Sequence, residues 1–438
     1  MLDLLLHLPA FVKIATAFTA ILVMYRLGAW LGVAIAVNAV ILTLWAGAGG
    51  EGLLHVVKSL AAPENYLLFL VIMALELFSE GLRKTGKMEE TVSALKTWVN
   101  DKRLILAGLP ALIGLLPMPG GALFSAPLVE SADDDKSLAP DHKVAINYWF
   151  RHLWEYWWPL YPGVILAIQY SGLSAPVFIA LQLPFTVAAV VGGYFFILRK
   201  VHAHPRAGGR GRLSVTSALQ LLLPIGIVVL SAMVSPHLFA MAGVRASLTS
   251  LWAMLAGLSA ALIVVFWESP VAVVSSLRLF LDRKTWQMLA VVVGVQVFAG
   301  ALTCQAGDAT LIAVMRDEFL HYGIPIVLMA MVIPFISGAV TGVAFGFVGA
   351  SFPLVFALLG PHPSMGTVAA YTALAYGFGY AGMMLSPLHL CFVVSSQYFQ
   401  ARLHHVYRYI TAPVVTIMCR GTEVPKYRIA SQRTVGGQ

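Results

Sequence analysis

Arg151, His152 and Glu155 stand together in the apolar run NYWFRHLWEYWWPLYPGVILA, the only charged cluster inside a candidate membrane span. An ionised side chain at the bilayer centre costs about 2.5–3.5 kcal/mol on insertion scales, so such residues persist by pairing or by handling an ion. Arg151 and Glu155 are spaced i, i+4, and on a continuous helix one face would hold them as a self-neutralising pair. A role for the three as coupling-ion residues stays open beside that reading. Glu76 and Glu80 fall near the end of their own span and read as solvated. No HExxH pattern and no nucleophile–base spacing occurs, which argues against an intramembrane enzyme. Cys304, Cys391 and Cys419 are scattered, with neither CxxC nor metal-ligand spacing, so no metal site is expected.

Binding chemistry is better served by two other stretches. LPMPGGALFSAPLVE (116–130) and SGAVTGVAFGFVGASFPL (337–354) are apolar yet dense in proline and glycine. Proline removes a donor and glycine frees the chain, so no straight membrane helix should run through either. Interrupted helices turn unpaired N–H groups into a cavity, and those helix ends carry about half a positive charge. Pro119, Gly120, Gly121, Gly346 and Gly349 would permit close approach of a small anion. Ser125, Thr341 and Ser351 would offer hydroxyls. A second pair of breaks, Pro159 to Pro162 and Ser386 to His389, would close the site, with Tyr161, Ser386 and His389 facing it.

The elements that must position these residues follow from composition. Of 438 residues, 59% are hydrophobic and 11% charged, with mean hydropathy +0.83, whereas soluble domains carry about 25% charged residues. The chain therefore reads as an all-α polytopic membrane protein. Its net charge of +8 reflects basic membrane-flanking loops and requires no nucleic acid. Spans are predicted at 8–25, 28–48, 65–82, 145–170, 175–198, 215–234, 248–267, 285–303 and 365–398. The stretches 103–130 and 323–360 are predicted as re-entrant hairpins. Placing the basic linker 199–213 in the cytoplasm puts 23 of the 28 Lys and Arg residues on that side. The N-terminus then lies outside an inner (plasma) membrane and the C-terminus inside.

The chain also repeats. Gly120, Ser125 and Pro127 match Gly346, Ser351 and Pro353 at an offset of 226, and Tyr161 matches His389 at 228. Residues 1–198 thus form one repeat plus a linking helix, and 214–399 a second repeat of opposite topology. Each has an amphipathic stretch before its hairpin, at 86–99 and 307–320. Residues 400–438 read as a basic, amphipathic and then disordered tail on the anionic leaflet. Inverted repeats with paired helix breaks are the best sequence pointer to a transporter site.

PMPGGALFSAPLVE, TGVAFGFVGASFPL and SPLHLCFVVSSQYF resemble an uncharacterised integral-membrane family, domain of unknown function 401, over about residues 60–400. That family is grouped with the ion-transporter clan of gluconate:proton symporters, arsenite permeases and divalent anion:sodium symporters. The resemblance implies a scaffold, a moving transport domain, two re-entrant hairpins and a homodimer. The resemblance says nothing about substrate; the interrupted helix ends favour an anion, and the expectation is secondary active symport of a small organic anion such as a carboxylate, driven by a proton or by sodium as coupling ion, with no other cofactor. A cation:proton antiporter or an inorganic oxyanion permease is the alternative on that scaffold. The Ser-Asn-Thr tip motif of the divalent anion:sodium members is absent here, so their carboxylate and sodium contacts do not carry across.

Overall fold

The computed structural model describes residues 8–117, 121–201, 215–269, 276 and 278–422. Among these the chain is helical apart from one two-stranded hairpin, Gln305–Ala306 with Ala309–Thr310. Helices α1 (Ala10–Arg26), α2 (Leu31–Trp45), α3 (Gly49–Leu60) and α4 (Pro63–Lys84) open it. The amphipathic α5 (Lys87–Trp98) buries Met88 and Val92, as its spacing predicts. Then come α6 (Lys102–Gly114), α7 (Ala122–Ala132), α8 (Pro140–Arg151), α9 (Pro162–Ser171) and α10 (Ala175–Gly193). Beyond the linker run α11 (Val215–Met241), α12 (Ala246–Glu268) and α13 (Arg283–Thr303). The remainder is α14 (Leu311–His321), α15 (Ile326–Thr341), α16 (Ala344–Leu358), α17 (Met365–Met384), α18 (Leu390–Tyr398) and α19 (Leu403–Thr422).

Five described helical stretches are long and apolar enough to cross a bilayer: Pro63–Lys84, Ala175–Leu198, Leu222–Met241, Leu248–Trp267 and Thr285–Thr303. The pair α14–α15, bent by 118°, would make a sixth. Outward faces are apolar too: α10 exposes Val177, Leu183, Val187 and Val191 while burying Phe178, Phe185 and Ala189. A helix hydrophobic on every side, with one side facing out of the protein, belongs in lipid. The chain is a multi-pass membrane protein. The nine expected crossings are not nine long helices, however. At about 1.5 Å per residue the 15-residue α2 falls short of a hydrocarbon core of about 30 Å. Segment 145–170 is two short helices and segment 365–398 a 20-residue and a 9-residue helix, joined by turns at 152–161 and 385–389.

Corresponding segments pair in corresponding ways. α6 packs on α7 and α8, as α15 packs on α16 and α17. The half-helices beyond the breaks cross over: α9 lies on α16, and α18 lies on α7. The starts of α6 and the end of α7 are joined by charge. Lys102 Nζ lies 2.7 Å from Asp133 and 2.5 Å from Asp135, and Lys143 adds a contact of 3.0 Å to Asp133. The hydrogen bond from Lys102 holds the Asp135 carboxyl below the usual carboxylate range. α19 buries Val406, Ile410, Val414 and Ile417 against α8, α10 and α17. The tail expected from 400 is therefore part of the helical body as far as Thr422, and its remainder lies outside the described residues.

Candidate functional site

Gly342 ends α15 with φ 64°, and Val343 alone separates it from α16. A Cβ on Gly342 would lie 3.0 Å from the His389 backbone, and one on Gly163 would lie 2.8 Å from Ala344. The tip of the second helix pair is thereby wedged between the breaks at 152–161 and 385–389. On the first pair, a Cβ on Gly114 would meet the Arg151 carbonyl oxygen at 2.0 Å. A Cβ on Gly121 would lie 2.2 Å from Arg151 Nη2, so the guanidinium lies against the amino end of α7. Pro119 and Gly120 lie outside the described residues.

These four interruptions border a half-open cavity of ≈160 Å³. Its lining includes Pro117, Arg151, Glu155, Tyr161, Val343 and His389, with Glu76, Gly163, Met383 and Cys391. A larger cavity of ≈290 Å³ between α5 and the first helix pair has mostly apolar walls, among them Ile113, Leu116 and Leu128. The buried chemistry gathers in the smaller one.

Hydrogen bonds fix its walls. Tyr161 donates to the Gly114 carbonyl at 2.6 Å, and Tyr376 and Tyr380 donate at 2.6 Å to the Glu155 and His152 carbonyls. The backbone of 152–157 consists of turns, in which the His152 and Trp154 carbonyls accept from amides three or four residues on, and the tyrosine hydroxyls supplement this at His152 and Glu155. Asn147 bridges the Ala122 carbonyl and Ser395 Oγ, at 3.2 and 2.8 Å, tying α8 to α7 and α18. Arg151 Nη1 reaches Cys391 Sγ at 3.3 Å. His152 Nε2 lies 3.7 Å from Glu155 Oε1, and one donor atom each from His152, His389 and Cys391 lies within 4.8 Å of the other two.

The predicted residues divide. Tyr161, His389, Arg151 and Glu155 line the cavity, Gly121 abuts Arg151, and His152 is buried behind them. Because α8 stops at Arg151, the helical i, i+4 face expected for Arg151 and Glu155 does not exist. Ser125, Thr341 and Ser351 turn their hydroxyls onto the Gly121, Ser337 and Phe347 carbonyls of their own helices. Back-bonding of this kind satisfies a hydroxyl where water is absent. Ser386 donates to the Ala339 carbonyl at 2.7 Å, pinning its break to α15. Gly346 and Gly349 admit Thr341 and Val295 to close contact, a packing role. Glu76, half-buried, joins the cavity wall instead of standing in solvent. Cys391 and Tyr148 were missed. The HxC spacing of His389 and Cys391 was the available signal for the first, whereas Tyr148 carried none.

Fold and site together define a polytopic helical membrane protein whose helix breaks border a cavity lined by charged side chains. The profile described as "Protein of unknown function (DUF401)" matches residues 10–423, and the chain belongs to that family. No curated protein matches it.

Proposed function

We propose that the protein is a secondary active transporter of a small organic anion, built from two inverted repeats whose re-entrant hairpins, α6–α7 and α15–α16, meet at the cavity. The observation that carries this reading is the convergence of all four chain interruptions, two from each half, around one half-open cavity with the buried Arg151 in its wall. Irregular backbone at membrane depth is tolerated where it lines such a cavity, and transporters place their sites there. The crossed packing of α9 on α16 and α18 on α7 supports the two-fold relation between halves.

The charge arrangement favours an anion. A guanidinium against the amino end of α7 sets a full positive charge beside a partial one, and both are stabilised when an anion lies between them. A 150 Å³ cavity holds about one benzene, so ≈160 Å³ suits an anion of roughly six to eight non-hydrogen atoms, such as a short carboxylate. Glu155, Glu76 and His389 are the groups able to take up a coupling proton, and sodium is the competing coupling ion. The charge-derived orientation, N-terminus outside and C-terminus cytoplasmic, and a homodimer complete the proposal.

Proteoliposomes test it. Uptake of short carboxylates should follow an imposed pH or sodium gradient and vanish in Arg151→Gln. Flux that ignores both gradients would point to a channel. Exchange of protons for metal cations, abolished by Glu155→Gln, would establish the antiporter alternative.

A further inference from the structure

We propose that His152, His389 and Cys391 form a binding site for a thiophilic divalent cation, Zn(II), at the wall of the central cavity. The inference rests on donor geometry and is independent of the anion reading.

His152 Nδ1 lies 2.5 Å from the Tyr148 carbonyl oxygen. A carbonyl only accepts, so Nδ1 carries the proton and Nε2 presents a lone pair. That Nε2 is buried, with the residue 1% exposed, and has no hydrogen-bond partner. His389 repeats the pattern. Its Nδ1 faces the Met383 carbonyl at 3.4 Å and the Tyr148 hydroxyl at 3.1 Å, and that hydroxyl donates onward to the Met384 carbonyl. With the His389 proton on Nδ1, toward the Met383 carbonyl, both imidazoles turn an unprotonated nitrogen away from their backbone anchors. Anchoring one ring nitrogen by a carbonyl or hydroxyl is how metal-ligating histidines are oriented.

Cys391 supplies the third donor, with the Arg151 guanidinium 3.3 Å from its sulfur. The donor atoms lie within 4.8 Å of one another. Zinc bonds of about 2.0–2.3 Å place neighbouring ligands roughly 3.4–3.7 Å apart, so the three close by about 1 Å on binding. Two imidazoles and a thiolate suit Zn(II) and exclude the hard cations, which prefer oxygen. Three protein ligands leave a fourth position toward Glu155, whose Oε1 is 3.7 Å from His152 Nε2. A buried, unpartnered nitrogen lone pair demands an explanation, and a cation supplies it.

The test uses the full chain in detergent, stripped with a chelator and titrated with zinc chloride, with Co(II) as the spectroscopic probe. About one zinc per chain is expected, together with a thiolate-to-cobalt charge-transfer band. Cys391→Ser should remove the band while Cys304→Ser keeps it. Tyr148→Phe, which retains all three ligands, should weaken binding by about 10–100-fold. Elution profile and melting temperature identify any variant that has not folded, and Tyr148→Phe then carries the test. Absence of stoichiometric zinc, or a cobalt spectrum unchanged in Cys391→Ser, overturns the site. Selective uptake of Cu(I) with no zinc overturns the divalent assignment. Lost anion uptake with zinc binding intact would refute the transporter reading and leave this one standing.

Discussion

The two helix-pair tips do the same architectural work with different chemistry. Between α6 and α7 the chain spends Leu115 to Gly121, and the tip meets the Arg151 guanidinium. Between α15 and α16 only Gly342 and Val343 intervene, and the tip meets the His389 backbone through Gly342 and meets Gly163 through the Ala344 methyl. Where the first half has Arg151, His152 and Glu155, the second has Gly379, Tyr380 and Met383 at an offset of 228. Tyr380 answers with a hydroxyl to the His152 carbonyl and Met383 with an apolar wall. The two tips therefore border one cavity, which has a charged side and an imidazole–thiol side.

That comparison breaks first at the helix crossings. A Cβ on Gly114 would meet the Arg151 carbonyl at 2.0 Å, and one on Gly338 the Gly379 carbonyl at 2.1 Å. Gly114→Val and Gly338→Val should each cost more than about 3 kcal/mol, since backbone must shift, and thermal melting should show similar losses in both halves. Tolerance of one alone would mean that the halves are not built alike. Next comes Arg151→Gln, expected to lower uptake by about 100-fold and stability by about 3–5 kcal/mol through the buried acid it leaves behind. Adding Glu155→Gln should restore melting but not uptake.

The tips themselves should separate stability from function. Gly342→Ala forces an alanine to φ 64° and should cost about 1–2 kcal/mol in melting experiments. Gly121→Ala has ordinary backbone angles but displaces the guanidinium, so uptake should fall with little change in stability. The smallest expected effect is at the helix-pair bases. Asp135, whose folded pKa lies below its unfolded value of about 3.9, adds stability above that value and loses it as pH falls through the folded pKa. The protection factors of α6 amides, corrected for the slower intrinsic exchange at low pH, should therefore fall in acid, and Asp135→Asn should flatten the profile. α15 and α16 contain no ionisable side chain and should show no such dependence on opening. Equal acid sensitivity in both pairs would separate the effect from the Lys102 cluster.

Much of this was legible in the chain. Prolines and glycines marked both helix pairs and both broken spans to within a few residues, because backbone donors and φ limits act locally. Amphipathic spacing found α5 and α14, whose buried Met88, Val92, Leu311, Met315 and Phe319 fall on the predicted faces. The extent of the break at 152–161 was hidden, since Trp154, Glu155 and Trp157 are acceptable in a helix. The turns hold some backbone hydrogen bonds of their own, and the hydroxyls of Tyr376 and Tyr380, more than 200 residues away, add donors to the Glu155 and His152 carbonyls. Cavity membership was equally hidden for Ser125, Thr341 and Ser351, whose hydroxyls had a partner in their own helices.

By itself, the sequence determined that the chain lives in a membrane and where its helices must break. Each is a property of neighbouring residues and their backbone. The tertiary structure decided which side chains share the cavity, bringing Arg151 and His152 to His389 and Cys391 across some 240 positions of sequence. Such contacts depend on how helices cross, and crossing is set by the summed packing of small residues such as Gly114, Gly163 and Gly338, which no local pattern encodes.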